Sequence, residues 1–482
     1  MSLSSALHSA VTGLTAVARQ AGAVSSNVAN STNGNYGRRE VELAARAVGK
    51  NVGGVRVLGE VRMVDAGLLA DRRTADAQLG AAAVTAQALE WIDTALGLPG
   101  EPGALASHVA DLEAALTEAA SRPDAQIRLD AVVRSAGDLA GGIGRVAGEV
   151  QSLRAEADRQ IGLGVDRLND TLARIEQVNR AILREVTAGR QPNGLYDERQ
   201  KLVDEIADLV PLRQMERPLG QIALYTDTGA ILLDGTAARI GFSAFGGPIG
   251  PETTLAGGAL SGLTLNGIPI STGSGGPLGG GALSAQFALR DGTLPEVQGG
   301  LDALARDLIT RFETAADALP PAERPDVAIF IDGSPPVPAT DAGLAQRLTL
   351  APALLAGESW RLRDGLDAIV QGPPGDARNL ALLAGALESR TAPPTGGFSG
   401  TPRDVSGLAA ELQGRIGGAR ITAEGQLSFA RGQNTALRDA QARDGVNTDD
   451  EMQKLLLIER AYAANARVIQ AVDEMLRELT RI

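Results

Sequence analysis

The chain reads as a mainly helical α+β protein of nested, multidomain build. It has paired N- and C-terminal coiled-coil-like helices, a helical second layer and a β-containing outer insert. Three observations point there. Apolar residues recur at steps of three and four at both ends of the 482 residues. Helical patterning fills 65–209 and returns after Asp376. Between these stretches the composition turns to Gly, Pro, Ser and Thr with short β-prone runs. A chain this long is expected to divide into domains. We place 1–40 with 445–482 in a terminal helical layer, 41–211 with 283–317 and 376–444 in a mainly helical layer, and 212–282 with 318–375 in a β-rich, loop-rich insert.

The first seam is Leu3, Leu7, Ala10, Leu14, Val17, Ala21, Val24 and Val28. Steps of four and three make an a/d heptad stripe, and its small residues suit a close partner helix. The helix ends in the stretch SSNVANSTNGNYGRREVEL, Ser25 to Leu43, where Asn, Ser, Thr and Gly crowd a turn before a strand begins. Residues 52–64 alternate loosely and read as strands or an extended hairpin. Helices follow over 75–98, 104–120, 125–186 and 195–209, each stopped by Pro or Gly. In the third, Ile161, Val165, Leu168, Leu172, Ile175, Ile182 and Val186 form another seam.

Short strands are expected at 221–225, 230–233 and 238–242. Residues 246–281 read as strands and long loops, or as a partly mobile surface region. A helix is expected over 294–316, then a loop-rich piece over 320–338 around a strand at 327–331. Helical patterning from 427 runs into the second seam: Leu455, Ile458, Tyr462, Asn465, Ile469, Val472, Leu476 and Leu479. Asn465 is its one polar member, a residue type that sets register rather than adding stability. Thr448 to Glu451 spells a capping box, with Asp449 and Asp450 in the positive first turn. Each seam covers about 25 residues, or roughly 37 Å of helix. Neither would stand alone in water, so the ends are expected to pair or to assemble with other copies.

Composition removes several function classes. The formal net charge of -13 disfavours nucleic acid and anionic membranes. There is no Cys, which excludes disulfides and thiolate chemistry. His8 and His108 are the only histidines, too few for a His-based zinc site or a Ser-His-Asp triad. No cleaved signal peptide and no membrane span is expected. Local mimics of active sites have plainer readings. Gly142, Gly144 and Gly148 have the wrong spacing for a dinucleotide loop and lie in helical sequence. Asp449, Asp450 and Glu451 point in different directions around a helix, which suits capping rather than a metal. Asp197, Glu198 and Arg199, like Arg290 and Asp291, read as helix caps and ion pairs between segments. No catalytic, metal or cofactor site is expected, and the protein is expected not to be an enzyme.

The opening motif resembles that of the flagellar rod, hook and hook-associated axial family, through Asn27, Val28, Ala29, Asn30, Thr32, Gly34, Tyr36 and Arg38. Asn35 is an extra residue between Gly34 and Tyr36, and no Pro precedes the Gly. The C-terminal segment from Gly445 is similar to the helix that closes this family, through Asn447, Glu451, Met452, Tyr462, Asn465 and Ala466. Residues 193–210, 280–312 and 348–365 resemble segments of its hook-associated members, which plain hook and rod subunits lack.

The resemblance implies a structural junction subunit that joins hook to filament by ordered self-assembly of its terminal helices. It implies secretion through the flagellar type III route into a ring or tubular homo-oligomer. The implied partners are hook protein, the next junction protein, the filament and an export chaperone at the C-terminal helix. Both terminal seams are expected to be disordered in the free subunit and to order on assembly. The expected assembly interface is Leu3, Leu7, Leu14, Val17, Val24, Asn27, Val28, Asn30, Tyr36, Arg38, Leu455, Ile458, Tyr462, Asn465, Ile469, Val472, Leu476 and Leu479. Tyr36 and Arg38 are expected to anchor the turn against a neighbouring surface. The alternatives are a hook or rod subunit, or a soluble coiled-coil binding protein with paired ends.

Overall fold

A computed structural model describes residues 3–48, 51–98, 100–317, 319–320, 324–334, 340–392 and 396–480. Pro99 and parts of the 320–338 piece lie outside them. The chain starts with α1 (Leu3–Ala29), β1 (Arg38–Val48), β2 (Asn51–Met63) and α2 (Ala66–Leu96). It continues with α3 (Leu105–Ser121), α4 (Gln126–Thr187) and α5 (Asn193–Asp204). Short strands follow: β3 (Leu212–Glu216), β4 (Ile222–Thr226), β5 (Ile231–Asp234), β6 (Thr236–Ala237), β7 (Ile240–Gly241), β8 (Leu263–Leu265) and β9 (Ile268–Ile270). Next come α6 (Ala282–Ala288), α7 (Leu294–Thr314), β10 (Phe330–Asp332), α8 (Leu344–Arg347), β11 (Leu348–Leu350), α9 (Pro352–Leu355), α10 (Arg361–Asp364) and α11 (Arg378–Glu388). The chain closes with α12 (Val405–Asp444) and α13 (Thr448–Thr480). Helix dominates, and the sheets are small and antiparallel.

The fold divides into two compact units. One holds Met1–Leu79, Arg167–Arg239 and Ala430–Ile482, and the other Gly80–Asp166 and Ile240–Phe429. The expected 212–282 insert is therefore divided, with the β3-β4-β5-β6 sheet in the first unit and β7-β8-β9 in the second.

In the first unit, α1 packs against α13 and against both strands of the β1–β2 hairpin. The hairpin pairs Arg38 with Met63 and slips register between Glu42 and Leu43. The α4 seam serves as expected, since Leu168, Leu172, Ile175 and Ile182 are fully buried. Helix α2 starts at Ala66 rather than near 75, because the Asp65 carboxylate accepts the N–H groups of Gly67 (2.8 Å) and Leu68 (3.1 Å). The helix expected over 195–209 ends at Asp204 and gives way to turns.

In the second unit, one apolar core joins α3, the first part of α4, α7 and α11 through residues such as Leu112, Ile143, Leu301, Phe312 and Leu383. Helix α7 follows a π-helical turn, Leu289–Thr293. The strand expected at 327–331 is instead β10, paired with β11. Of the strand expected at 238–242, Ile240–Gly241 forms as β7, while β6 just before it lies in a different sheet.

Of the two expected forms for the Gly-rich 246–281 segment, it takes that of short strands and long loops, and buried charges tie it down. Arg154, 1% exposed, donates to the carbonyls of Gly250 (3.0 Å) and Thr253 (2.7 Å). Asp158 accepts the N–H of Phe245 at 2.7 Å. Arg290 is fully buried, donates to Ser261 O (3.0 Å) and pairs with Asp158 at 2.6 Å. Its guanidinium also lies 4.8 Å from the Phe287 ring centre. Polar backbone in a loop is satisfied here by cations that helices hold in place.

Candidate assembly interface

The turn after α1 is organised by one side chain. Asn27 is 1% exposed. Its Nδ2 donates to Arg39 O at 3.0 Å and to Glu451 Oε2 at 2.9 Å. Its Oδ1 accepts the Tyr36 hydroxyl and the Arg39 N–H, both at 2.9 Å. The carboxamide thus uses two donors and two acceptors, all it has. It joins the end of α1, the turn, the first residues of β1 and the first turn of α13.

Glu451 is equally buried, and its other oxygen accepts from Lys454 Nζ at 2.7 Å. This corrects the expected capping box. Asn447 is the cap, since its Oδ1 accepts the Asp449 N–H at 3.0 Å and its carbonyl accepts the Glu451 N–H at 3.0 Å. The Glu451 carboxylate turns instead toward Asn27 on α1.

A second anchor is Asp197, on α5. It accepts the N–H of Gly37 at 3.0 Å, Arg62 Nε at 2.7 Å and Arg39 Nη2 at 3.4 Å. The Arg39 guanidinium also lies 5.0 Å from the Tyr36 ring centre. Burial pushes the Tyr36 hydroxyl up, against the pull of Arg39. Nearby, Arg199 donates to Asn179 Oδ1 (2.9 Å) and Gly220 O (2.7 Å), and burial lowers it to about 10. Asp197 and Arg199 thus make the ties between segments that their sequence suggests.

The expected interface residues fall into distinct settings. Val17, Val24, Asn27 and Val472 are buried. Leu3, Leu7, Leu14, Val28, Asn30, Ile458, Asn465 and Ile469 are half-buried. Leu455, Tyr462, Leu476 and Leu479 are exposed. Asn30 Nδ2 donates to Ser26 O at 2.9 Å, which closes the helix end locally. The Tyr36 hydroxyl is engaged within its own chain, whereas Arg38 pairs with Glu40 at 2.7 Å near the surface.

Sequence reasoning missed Gly13, Arg39, Arg62 and Glu451 as members of this site. A Cβ at residue 13 would stand 2.8 Å from Asn465 Oδ1, so a larger residue there must displace that side chain, whose Nδ2 donates to Ala461 O at 3.0 Å. Gly54, at φ +87°, lets the hairpin reach α1, where Thr12 Oγ1 accepts the Val55 N–H at 3.2 Å. A cleft of about 430 Å³ opens among α1, β1 and α13, lined by Gln20, Val24, Arg39, Glu451 and Ile458. Among the described residues, no cluster of His, Asp and Glu could hold a metal, and no helix is long and apolar enough to cross a membrane. Gly142, Gly144 and Gly148 lie inside α4.

Comparisons with known proteins agree on one group. A family model described as "Flagellar hook-associated protein FlgK helical domain" matches residues 89–318. A second, "Flagellar basal body rod FlgEFG protein C-terminal", matches residues 442–482. The chain is 24% identical to flagellar hook-associated protein 1 of Bacillus subtilis, over 93% of this chain and 92% of that protein. It is 27% identical to flagellar hook-associated protein 1 of Escherichia coli, over 49% of this chain and 44% of that one. The solved structure of the flagellar hook junction protein FlgK from Burkholderia pseudomallei is similar, with a TM-score of 0.44 and 19% identity. The likeness covers 55% of this chain and 47% of that chain.

Proposed function

The chain belongs to the flagellar hook-associated protein 1 family, and from that premise we propose that it is the structural junction subunit between hook and filament. Its work is assembly rather than catalysis. The observation that carries this reading is the state of α13. That helix buries only Glu451 and Val472 of its 33 residues. Leu456, Leu457, Tyr462, Met475 and Leu479 stay exposed. Apolar surface of this extent on one helix calls for cover. Neighbouring copies in a ring or tube supply it, while the face toward α1 is already filled.

The terminal layer, 1–40 with 445–482, is the axial part of the assembly on this reading. Hook protein lies on one side, with the next junction protein and the filament on the other. Export through the flagellar route takes the chain out of the cytoplasm, and a chaperone holds the C-terminal helix beforehand. The test is deletion of the gene with immunolabelling of the tagged protein. Label at the hook–filament boundary, with hooks retained and filaments lost, supports the junction role. Lost hooks would point to a hook or rod subunit instead.

A further inference from the structure

Two contacts between α1 and α13 share a spacing. Asn27 meets Glu451, and Gly13 makes room for Asn465. Asn27 follows Gly13 by fourteen residues, and Asn465 follows Glu451 by fourteen. The two helices therefore run antiparallel with one constant offset, and the two contacts stand two heptads apart on the same seam. The same offset brings Gln20 level with Ile458 and Ala6 level with Val472, which is buried.

We infer that these contacts form a two-point register lock by which the N-terminal helix recognises the chain's own C-terminal helix in a single alignment. The inference rests on the junction reading and specifies how its inner layer is paired. Each contact excludes what the other permits. If α13 slips one heptad toward the start of α1, Gln20 stands opposite Glu451 and offers its carboxylate a donor. Asn465 then meets Ala6, whose Cβ fills the space that glycine leaves open. If α13 slips the other way, Asn465 meets Gln20. Glu451 then passes the end of α1 at Ala29 and loses its carboxamide partner. At Gly22, the other glycine of α1, an added Cβ would meet nothing within 4 Å, so that position faces no partner and offers no second socket. A pairing of two α1 helices lacks the carboxylate, and a pairing of two α13 helices lacks the socket. The lock thus favours the unlike pair and leaves the flanks of α13 for other copies.

The absence of Cys makes the alignment measurable. Val11→Cys and Val468→Cys place spin labels at two exposed sites, one on each helix. A slip of one heptad moves one label past the other by about 10 Å. In the assembled junction, with labelled chain diluted among unlabelled chain, the two labels should give a single narrow distance. Gly13→Leu should shift or broaden it, and adding Asn465→Ala should restore it. Independently, Asn27→Asp sets an oxygen against Glu451 and should broaden the distance, which Glu451→Gln should narrow again. A broad distance in the unaltered labelled chain overturns the lock. So does an unchanged distance in Gly13→Leu, or failure of both second substitutions to rescue. If the lock fails but label remains at the hook–filament boundary, the junction reading stands without it.

Discussion

Helix α7 buries fourteen of its 21 residues, whereas α13 buries two of 33. Both carry apolar residues at helical spacing. They differ in how much of each the chain itself covers. Around α7 the same chain supplies Leu112, Leu380 and Leu412 to a shared core, and Gln151 donates to the buried Gln298 at 2.8 Å. Around α13 the chain supplies mainly α1. A helix finished by its own chain should register damage as lost stability. A helix finished by neighbours should register it as lost assembly.

The largest effect is expected where the chain completes itself. Arg290→Ala removes a fully buried cation and leaves Asp158 without its partner. Breaking a buried pair from one side costs about 3–5 kcal/mol. Urea unfolding of the purified chain should show that loss. A loss near zero would mean that Phe245 and solvent satisfy Asp158 unaided, and would weaken the contrast with α13.

Asn27→Ala is expected to cost less, because part of its surroundings reaches water. It leaves one oxygen of the buried Glu451 carboxylate without its donor while Lys454 keeps the other, at about 1–3 kcal/mol for one buried group left unsatisfied. Tyr36→Phe removes one hydroxyl bond and should cost about 1 kcal/mol. Hydrogen exchange should place both losses in α1 and the first turn of α13. If Tyr36→Phe costs nothing there but abolishes filaments, the hydroxyl serves a neighbour rather than Asn27.

These expectations show what the sequence could carry. The seams of α1, α4 and α13 were legible because a helix that packs on one face repeats its apolar residues every three or four positions. Ile175 and Ile182 needed nothing more to be placed in a core. The joint at Asn27 was legible as a motif but not as a mechanism, since its partners lie at residues 36, 39 and 451. Glu451 fitted a capping pattern so well that its distant partner left no local trace. Asp65 was the opposite case: a carboxylate two residues before Gly67 signals a helix start, and the apolar pattern alone placed that start too late. The ties that hold 246–281 come from Arg154 and Arg290, whose charge alone would suggest the surface. Burial of a cation depends on which carbonyls the fold brings to it, and no period in the sequence encodes that.

Leu479→Ser is expected to change stability by less than about 0.5 kcal/mol, because the residue is already exposed. Its effect should appear in filament number on cells expressing the variant. A clear drop in the melting temperature of the free chain would mean that α13 is already covered on that flank, which would erase the contrast with α7.

The smallest effect concerns acid. Hydrogen bonds from the Arg378 side chain and from its backbone N–H hold the Asp376 carboxyl down at about 2. An unfolded aspartate titrates near pH 4. The folded value lies lower, so the pairing stabilises above about pH 4 and is lost as pH falls toward 2. Burial pushes Asp302 and Asp307 the other way, up from the ordinary range. At these two the folded chain takes up protons first, so falling pH favours the fold until the unfolded value is passed. Asp376→Asn should therefore lower stability slightly above about pH 4, leave it unchanged near pH 2, and so flatten the fall between them. Unfolding curves at several acid pH values read both. If Asp376→Asn leaves the acid slope intact, the Arg378 bonds are matched in the unfolded chain, and acid loosening of this self-completed region must come from other carboxylates such as Asp364, which Arg363 also holds down.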